Sequence, residues 1–275
     1  MLKKLLRHEF IETWKIPTIA LSTAVLLTLA CSLYFYLMPL PDAEVEVNLG
    51  AFAIFMVYTL MISCIALLIV IYLGVRFYKN LYTDEGYLMH TLPVRPRILI
   101  LSKLLPGLLW TYLACILTIV TVMPVTVLAI PRITYLEDTD FSTLLPALAG
   151  LFGRSLPQML FFFLPYMLVA CLSCLLLLYT AISLGQLFGR HKVLASILCY
   201  LGLQALLSTA SSLFILPGMT GVIIKHAEDS EQFLNLVMPS IMQTIYIASF
   251  AADLVLAAAA FYLTCYIMKK CLNLD

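Results

Sequence analysis

This sequence has little charge. Of 275 residues, 11% are charged and 63% are hydrophobic. A soluble domain is nearer a quarter charged and half apolar. That scarcity excludes a water-soluble fold, which could not bury so much apolar surface, and leaves the bilayer as the solvent. The net charge of +1 excludes the basic footprint that nucleic acid requires. Catalytic signatures are missing as well. There is no G-x-x-x-x-G-K-[ST], so the chain does not cradle ATP by the P-loop route. There is no H-E-x-x-H and no G-x-S-x-G. His8, His90, His191 and His226 lie on separate segments and do not converge on one metal. The expectation is a non-enzymatic chain that binds no cofactor or metal itself. No internal repeat or low-complexity tract is present.

Eight cysteines are present: Cys31, Cys64, Cys115, Cys171, Cys174, Cys199, Cys265 and Cys271. None falls in a segment expected outside the cell, so no disulfide framework is implied. Cys171 and Cys174 form a C-x-x-C in a run of Leu and Phe, where partner ligands are lacking. They read as small buried helix residues.

Long apolar runs are abundant. A helix needs about 20 apolar residues to cross about 30 Å of hydrocarbon. Six stretches qualify: 17–39, 51–75, 104–130, 156–185, 193–217 and 244–267. Pro39 and Pro41 should end the first and Pro217-Gly218 the fifth. Pro106, Pro124, Pro157 and Pro165 lie in or near the third and fourth, where membrane helices tolerate them. The expected fold is an all-α integral membrane protein, one transmembrane domain over 1–275.

Lys and Arg set the orientation. With the N-terminus inside, Lys3, Lys4, Arg7, Lys15, Arg76, Lys79, Arg95, Arg97, Lys103, Arg190, Lys192, Lys269 and Lys270 lie inside. Only Arg132, Arg154 and Lys225 lie outside, which accounts for all 16 basic residues as 13 against 3. An even number of spans then puts the C-terminus inside too. The first span is too long, and its basic lead too extended, for a cleaved signal. Residues 2–15 read as a separate amphipathic helix on the inner membrane surface. Leu2, Leu5, Leu6, Phe10 and Trp14 would form its apolar side, and Lys3, Lys4, Arg7, Glu12 and Lys15 its polar side.

The second inner loop, Arg76 to Lys103, reads RFYKNLYTDEGYLMHTLPVRPRILILSK. Thr83 is a good N-cap, Asp84 and Glu85 favour the first turn of a helix, and Leu92-Pro93 stops it. A short helix over 84–91 is expected, offering Tyr87, Leu88 and Met89 either to a docking partner or to the chain's own inner surface. The pattern D-E-G-Y-L, then T-L-P-V, then S-K between spans two and three resembles ABC transporter permeases of the ABC-2 type, the type V exporter fold. The resemblance covers the whole chain as architecture and rests, as sequence, on Thr83 to Lys103. It implies that 2–15 is an elbow helix and 84–91 a coupling helix. Thr83, Asp84, Glu85, Gly86, Tyr87 and Leu88 would then dock on a separate ABC ATPase subunit, which binds the ATP and Mg. It further implies a homo- or heterodimer of permeases in the plasma membrane of a bacterium, exporting drug, peptide or lipid-like cargo. Re-entrant segments would fall within 219–243. There FLNLVMPSIM at 233–242 is apolar but too short to cross, and an ordinary outer loop fits equally well.

Asp253 is the one ionisable side chain well inside a span. Counted from Thr244 it lies about 13 Å along the helix at 1.5 Å per residue. A central Asp costs roughly 2.5–3.5 kcal/mol to insert, against about 3–5 kcal/mol returned by the strong apolars of that span. The span therefore depends on neighbours. Tyr246, Ser249, Asp253, Ala257, Ala260 and Thr264 share one small or polar stripe, the composition of a helix–helix contact. Two readings stand for Asp253: a substrate path or proton relay, or a structural hydrogen bond. The fifth span carries a similar stripe through Ser196, Tyr200, Gln204, Ser208 and Ser211. The family resemblance implies that this span lies near a translocation cavity that Gln204 would line, and interhelical bonding fits the stripe equally well. A second class of function is a non-transporting membrane sensor or resistance module that uses the same docking loop. An intramembrane hydrolase would need a second catalytic group near Asp253, and no span offers one.

Overall fold

Six long apolar helices and one short helix make up the computed structural model, which describes residues 2–39, 48–83, 96–133, 156–188, 191–226 and 238–270. No strand occurs among the described residues. The short helix is α1 (Leu2–Thr13). The long ones are α2 (Lys15–Leu37), α3 (Leu49–Tyr82), α4 (Pro96–Ile133), α5 (Leu156–Gly185), α6 (Lys192–His226) and α7 (Met238–Lys270). Each of the six carries a segment long and apolar enough to cross a membrane, which makes this a multi-pass membrane protein.

Proline explains one boundary and was over-read at another. Met38 is extended (φ −72°, ψ 127°) because the ring of Pro39 bars the α conformation from the residue before it, and α2 stops there. The fifth span was expected to stop at Pro217-Gly218, yet α6 continues to His226. A proline forfeits one backbone bond. Breaking the helix in hydrocarbon would strand several backbone groups at several kcal/mol each, so continuation is the cheaper outcome. Residues 219–226 therefore extend α6, and 238–243 open α7; 227–237 lie outside the described residues.

Helices α3 and α4 are longer than expected, by residues 76–82 and 96–103 on the flanks of the second inner loop. At 1.5 Å per residue they measure about 51 and 57 Å, well beyond a hydrocarbon core of about 30 Å.

Two packing units divide the chain. The first comprises Met1–Leu73 with Leu109–Pro146, and the second Gly74–Leu108 with Ala147–Asp275. In the first, Ala24, Phe35, Tyr58, Ile62, Val125 and Ala129 form a buried core between α2, α3 and α4. The Tyr58 hydroxyl joins the three helices: it donates to the Thr121 carbonyl at 3.1 Å and lies 3.1 Å from the Thr28 hydroxyl. On α1 the inward residues are Glu9 and Thr13, with Phe10 against Trp110 at 6.5 Å between ring centroids. Helix α1 ends at Thr13, and Trp14, 50% exposed, forms the joint with α2.

Arg132 closes the far end of this unit. Its guanidinium donates to the carbonyls of Leu128 (2.8 Å), Met38 (3.1 Å) and Tyr36 (3.4 Å). Two of these are orphan carbonyls at the C-terminal end of α2, where a cation also meets the negative end of the helix dipole. The Asn48 amide donates to Ile133 O at 2.9 Å beside it. Arg132→Ala is expected to cost about 2 kcal/mol, since bonds to a charged donor each contribute about 1.5–3 kcal/mol. Arg132→Lys should recover about half of that, having charge but no planar fork. Thermal melting in detergent reads both, and an unchanged midpoint for Arg132→Ala would refute the bracing role.

In the second unit α5 is the central helix. Its membrane window is 28% buried, against 6% for α6, so α6 presents most of its circumference outward. The end of α3 runs parallel to α5: Gly74 meets Leu178, Phe77 stacks on Tyr179 (3.9 Å, 5°), and the Tyr82 hydroxyl lies 2.7 Å from that of Ser183. Helix α6 runs antiparallel, with Ser196 against Gly185 and Ile182 and Tyr200 against Cys174.

Candidate functional site: a polar seam between two spans

Helices α5 and α7 meet along a register that repeats every seven residues on both. Tyr166 faces Tyr246, with ring centroids 5.0 Å apart and planes inclined at 47°. Seven residues on, Ser173 Oγ donates to Asp253 Oδ1 at 3.2 Å. Seven further, Thr180 Oγ1 reaches the Ala260 carbonyl at 3.1 Å and the Thr264 hydroxyl at 3.0 Å. Both numbers rise together, so the helices are parallel, as two spans separated by a third must be. A shared seven-residue period is the signature of knobs-into-holes packing at a shallow crossing angle. Small residues permit the close approach: Ala257 and Ala260 are buried, and Thr264 is fully so.

The geometry gives Asp253 a defined setting. It lies near the middle of α7, half-buried, with Ser173 as its hydrogen-bond donor. Ser173 also approaches the Ala170 carbonyl at 3.0 Å, so its single hydroxyl hydrogen is shared between the two acceptors. One to two turns back along α7, the Tyr246 hydroxyl donates to the Phe162 carbonyl, and Ser249 bonds the Tyr166 hydroxyl. Tyr166 also interacts electrostatically with Asp253. Tyr246, Ser249 and Asp253 thus come together, as the stripe on α7 suggests. Gln204 does not join them. It is exposed on α6, as are Ser208 and Ser211, whose hydroxyls bond back to Ala205 O and Ser208 O at 3.0 Å each. Of the fifth-span stripe only Ser196 is buried.

Sequence reasoning missed Tyr166, Ser173 and Thr180, the α5 half of the seam. Their signal was present: polar residues seven apart in an apolar run, matching Tyr246, Asp253 and Ala260. No family model, no curated protein and no solved structure matches this chain. The seam offers one carboxyl, four hydroxyl-bearing neighbours, Tyr166, Ser173, Tyr246 and Ser249, and two aromatic rings inside the membrane, and no group of three metal-ligating side chains occurs among the described residues.

A second depression, in the first unit, is lined by Leu21, Ala24, Ile62, Ile69, Thr118 and Thr121 among others. Both threonine hydroxyls are spent on carbonyls of α4, on Ala114 at 2.9 Å and Thr118 at 3.1 Å, so this cleft presents a ligand with apolar surface.

Of the expected docking residues, Thr83 is the last one described before the loop. Its hydroxyl donates to the Lys79 carbonyl and closes α3. Asp84, Glu85, Gly86, Tyr87 and Leu88, with the expected helix 84–91, lie outside the described residues. Beyond the loop, Ser102 and Lys103 of the S-K pair are both buried in α4, with Ser102 Oγ donating to Leu99 O at 2.7 Å.

Proposed function

We propose that this chain is the membrane-spanning permease subunit of an ATP-driven exporter of the ABC-2 type. It would sit with both termini inside the plasma membrane of a bacterium and dimerise with a second permease. The observation that carries this reading is the segment Thr83 to Lys103 between spans two and three, in a six-span chain that has no nucleotide-binding motif of its own. In this reading 84–91 is the coupling helix and a separate ABC ATPase supplies ATP and Mg. Helix α1 is the elbow, with exposed Ile11 and Trp14 for the interface and exposed Lys3 and Arg7 for headgroups. The chain contributes shape and docking; bond chemistry belongs to the partner.

The packing around the loop supports a mechanical role. The loop starts directly after Thr83; the adjacent Tyr82 is held to Ser183, and Phe77 stacks on Tyr179. A push on 84–91 would pass into α5 through these contacts and across the heptad seam into α7. Rigid packed helices carry such displacements as discrete shifts.

The test is co-purification with the cognate ATPase. Replacing Tyr87 and Leu88 together with Glu should reduce recovered ATPase at least tenfold, with the melting midpoint of the permease unchanged, because two carboxylates would face an apolar pocket. Undiminished recovery and ATPase stimulation would refute docking through this segment.

A further inference from the structure

We propose that the seam around Asp253 is a binding site for a lipophilic organic cation, a molecule with a single positive charge on an apolar or aromatic body. Over 160–185, 193–212 and 241–268, the membrane-crossing parts of α5, α6 and α7, Asp253 is the only charged side chain in the sequence. No Lys, Arg or His in these stretches can neutralise it. Intramembrane carboxylates ordinarily pair with a cation or line a pathway. Among the described residues, the hydrogen bond to the carboxylate comes from the Ser173 hydroxyl, a neutral group. A purely structural bond to Ser173 would be met by Asn, which accepts the same hydrogen without a charge to insert. The carboxyl is half-buried, so it remains reachable from the edge of the seam.

The aromatic pair supplies the rest of the site. The Tyr246 hydroxyl is engaged by the Phe162 carbonyl and that of Tyr166 by Ser249, which fixes both phenols. The two rings pack at 47° with centroids 5.0 Å apart, and an aromatic face is the surface that attracts a diffuse cation. Tyr246 lies seven residues from Asp253, about 10 Å along the helix, the length of a mid-sized organic molecule. Charge against Asp253 and body against the two rings is thus the orientation the seam permits. A strongly hydrated ion would lose its water shell at this depth, whereas a lipophilic cation arrives through the hydrocarbon itself. Calling the ligand cargo rests on the exporter reading; its binding does not.

The experiment uses the purified full chain in nanodiscs of neutral lipid, without ATPase, and radiolabelled tetraphenylphosphonium as the probe. Tetraphenylborate, of the same shape and opposite charge, is the control. Saturable binding of the cation is expected, weakened more than tenfold by Asp253→Asn and retained by Asp253→Glu. Tyr166→Leu should weaken it severalfold, since it removes a ring and no charge. Melting of each variant shows that it is folded, and Asp253→Glu together with Tyr166→Leu decides the matter if Asp253→Asn is not. Equal binding by wild type and Asp253→Asn, equal binding of tetraphenylborate, or no saturable binding by the wild type would each overturn the site. Cation binding in a chain that never assembles with an ATPase would uphold the site and remove the exporter reading. Assembly without cation binding would do the reverse.

Discussion

Gly185→Ala is expected to destabilise the protein by about 3 kcal/mol, at the upper end of overpacking costs. A Cβ at position 185 would lie 2.0 Å from Ser196 Oγ, 2.6 Å from Ser196 Cα and 2.6 Å from Ser196 N. Two of these three atoms are backbone, so no rotamer change relieves the contact. Nor can the helices easily separate. Gly185 is the last residue of α5, and α6 begins at Lys192 after a tight turn closed by Leu187 N to Leu184 O at 3.1 Å and Phe188 N to Gly185 O at 3.3 Å. Ser196 is itself buried and donates to Lys192 O at 2.8 Å. Thermal melting in detergent should show a clearly lowered midpoint. Adding Ser196→Gly removes the hydroxyl clash and leaves the two backbone ones, so rescue should be partial. Gly74→Ala is the internal contrast: its Cβ would meet Leu178 Cδ2 at 2.9 Å, the far end of a flexible side chain, and should cost under about 1 kcal/mol. If Gly185→Ala melts with the wild type, α5 and α6 do not approach this closely.

The number of spans was legible because run length is a direct physical signal: only a long apolar stretch satisfies both the hydrocarbon and the backbone. Where the helices end was less so. Hydropathy falls at Arg76, yet α3 continues through RFYKNLY, because its backbone bonds close locally and Phe77 and Tyr82 find partners on α5. Pro217 misled for the converse reason, since a local breaker loses to the cost of opening a helix in lipid. Arg132 looked like one of three exceptions on the outer side; its three carbonyl bonds give it a structural role that no charge count contains. The candidate site was half legible. Asp253 and its stripe stand out on α7 as polar residues in an apolar run. Their partners on α5 are ordinary Ser, Thr and Tyr, which acquire meaning only when a second helix with the same seven-residue spacing is laid against them.

That seam yields the other large expected effect. Ala260→Leu should cost about 3 kcal/mol and Ala259→Leu, one residue away, less than about 0.5 kcal/mol. Ala260 is 5% exposed; its carbonyl accepts from Thr264 at 2.8 Å and lies 3.1 Å from Thr180 Oγ1, whose one hydrogen it shares with Leu176 O at 2.7 Å. A side chain of α5 touching the backbone of α7 means the two helices are near their closest approach, where only a methyl fits. Leucine adds three carbons there. It must push the helices apart, which separates Thr180 from the Ala260 carbonyl and the Thr264 hydroxyl and leaves each hydroxyl with only the carbonyl of its own helix, Leu176 O at 2.7 Å and Ala260 O at 2.8 Å. Overpacking of about 1–3 kcal/mol adds to interhelical hydrogen bonds of about 0.6 kcal/mol each in a membrane. Ala259 is exposed on the lipid side of the same turn, where leucine finds acyl chains and gains slightly in insertion energy. The pair thus holds composition, depth and hydropathy constant and varies only the face. Unfolding in mixed micelles reads the difference. Because Asp253 lies one heptad along the same seam, Ala260→Leu should also loosen the Ser173 bond and weaken tetraphenylphosphonium binding, while Ala259→Leu leaves it intact. Equal stability of the two variants would mean that α5 and α7 do not pack in this register, and the geometry assigned to Asp253 would fall with it.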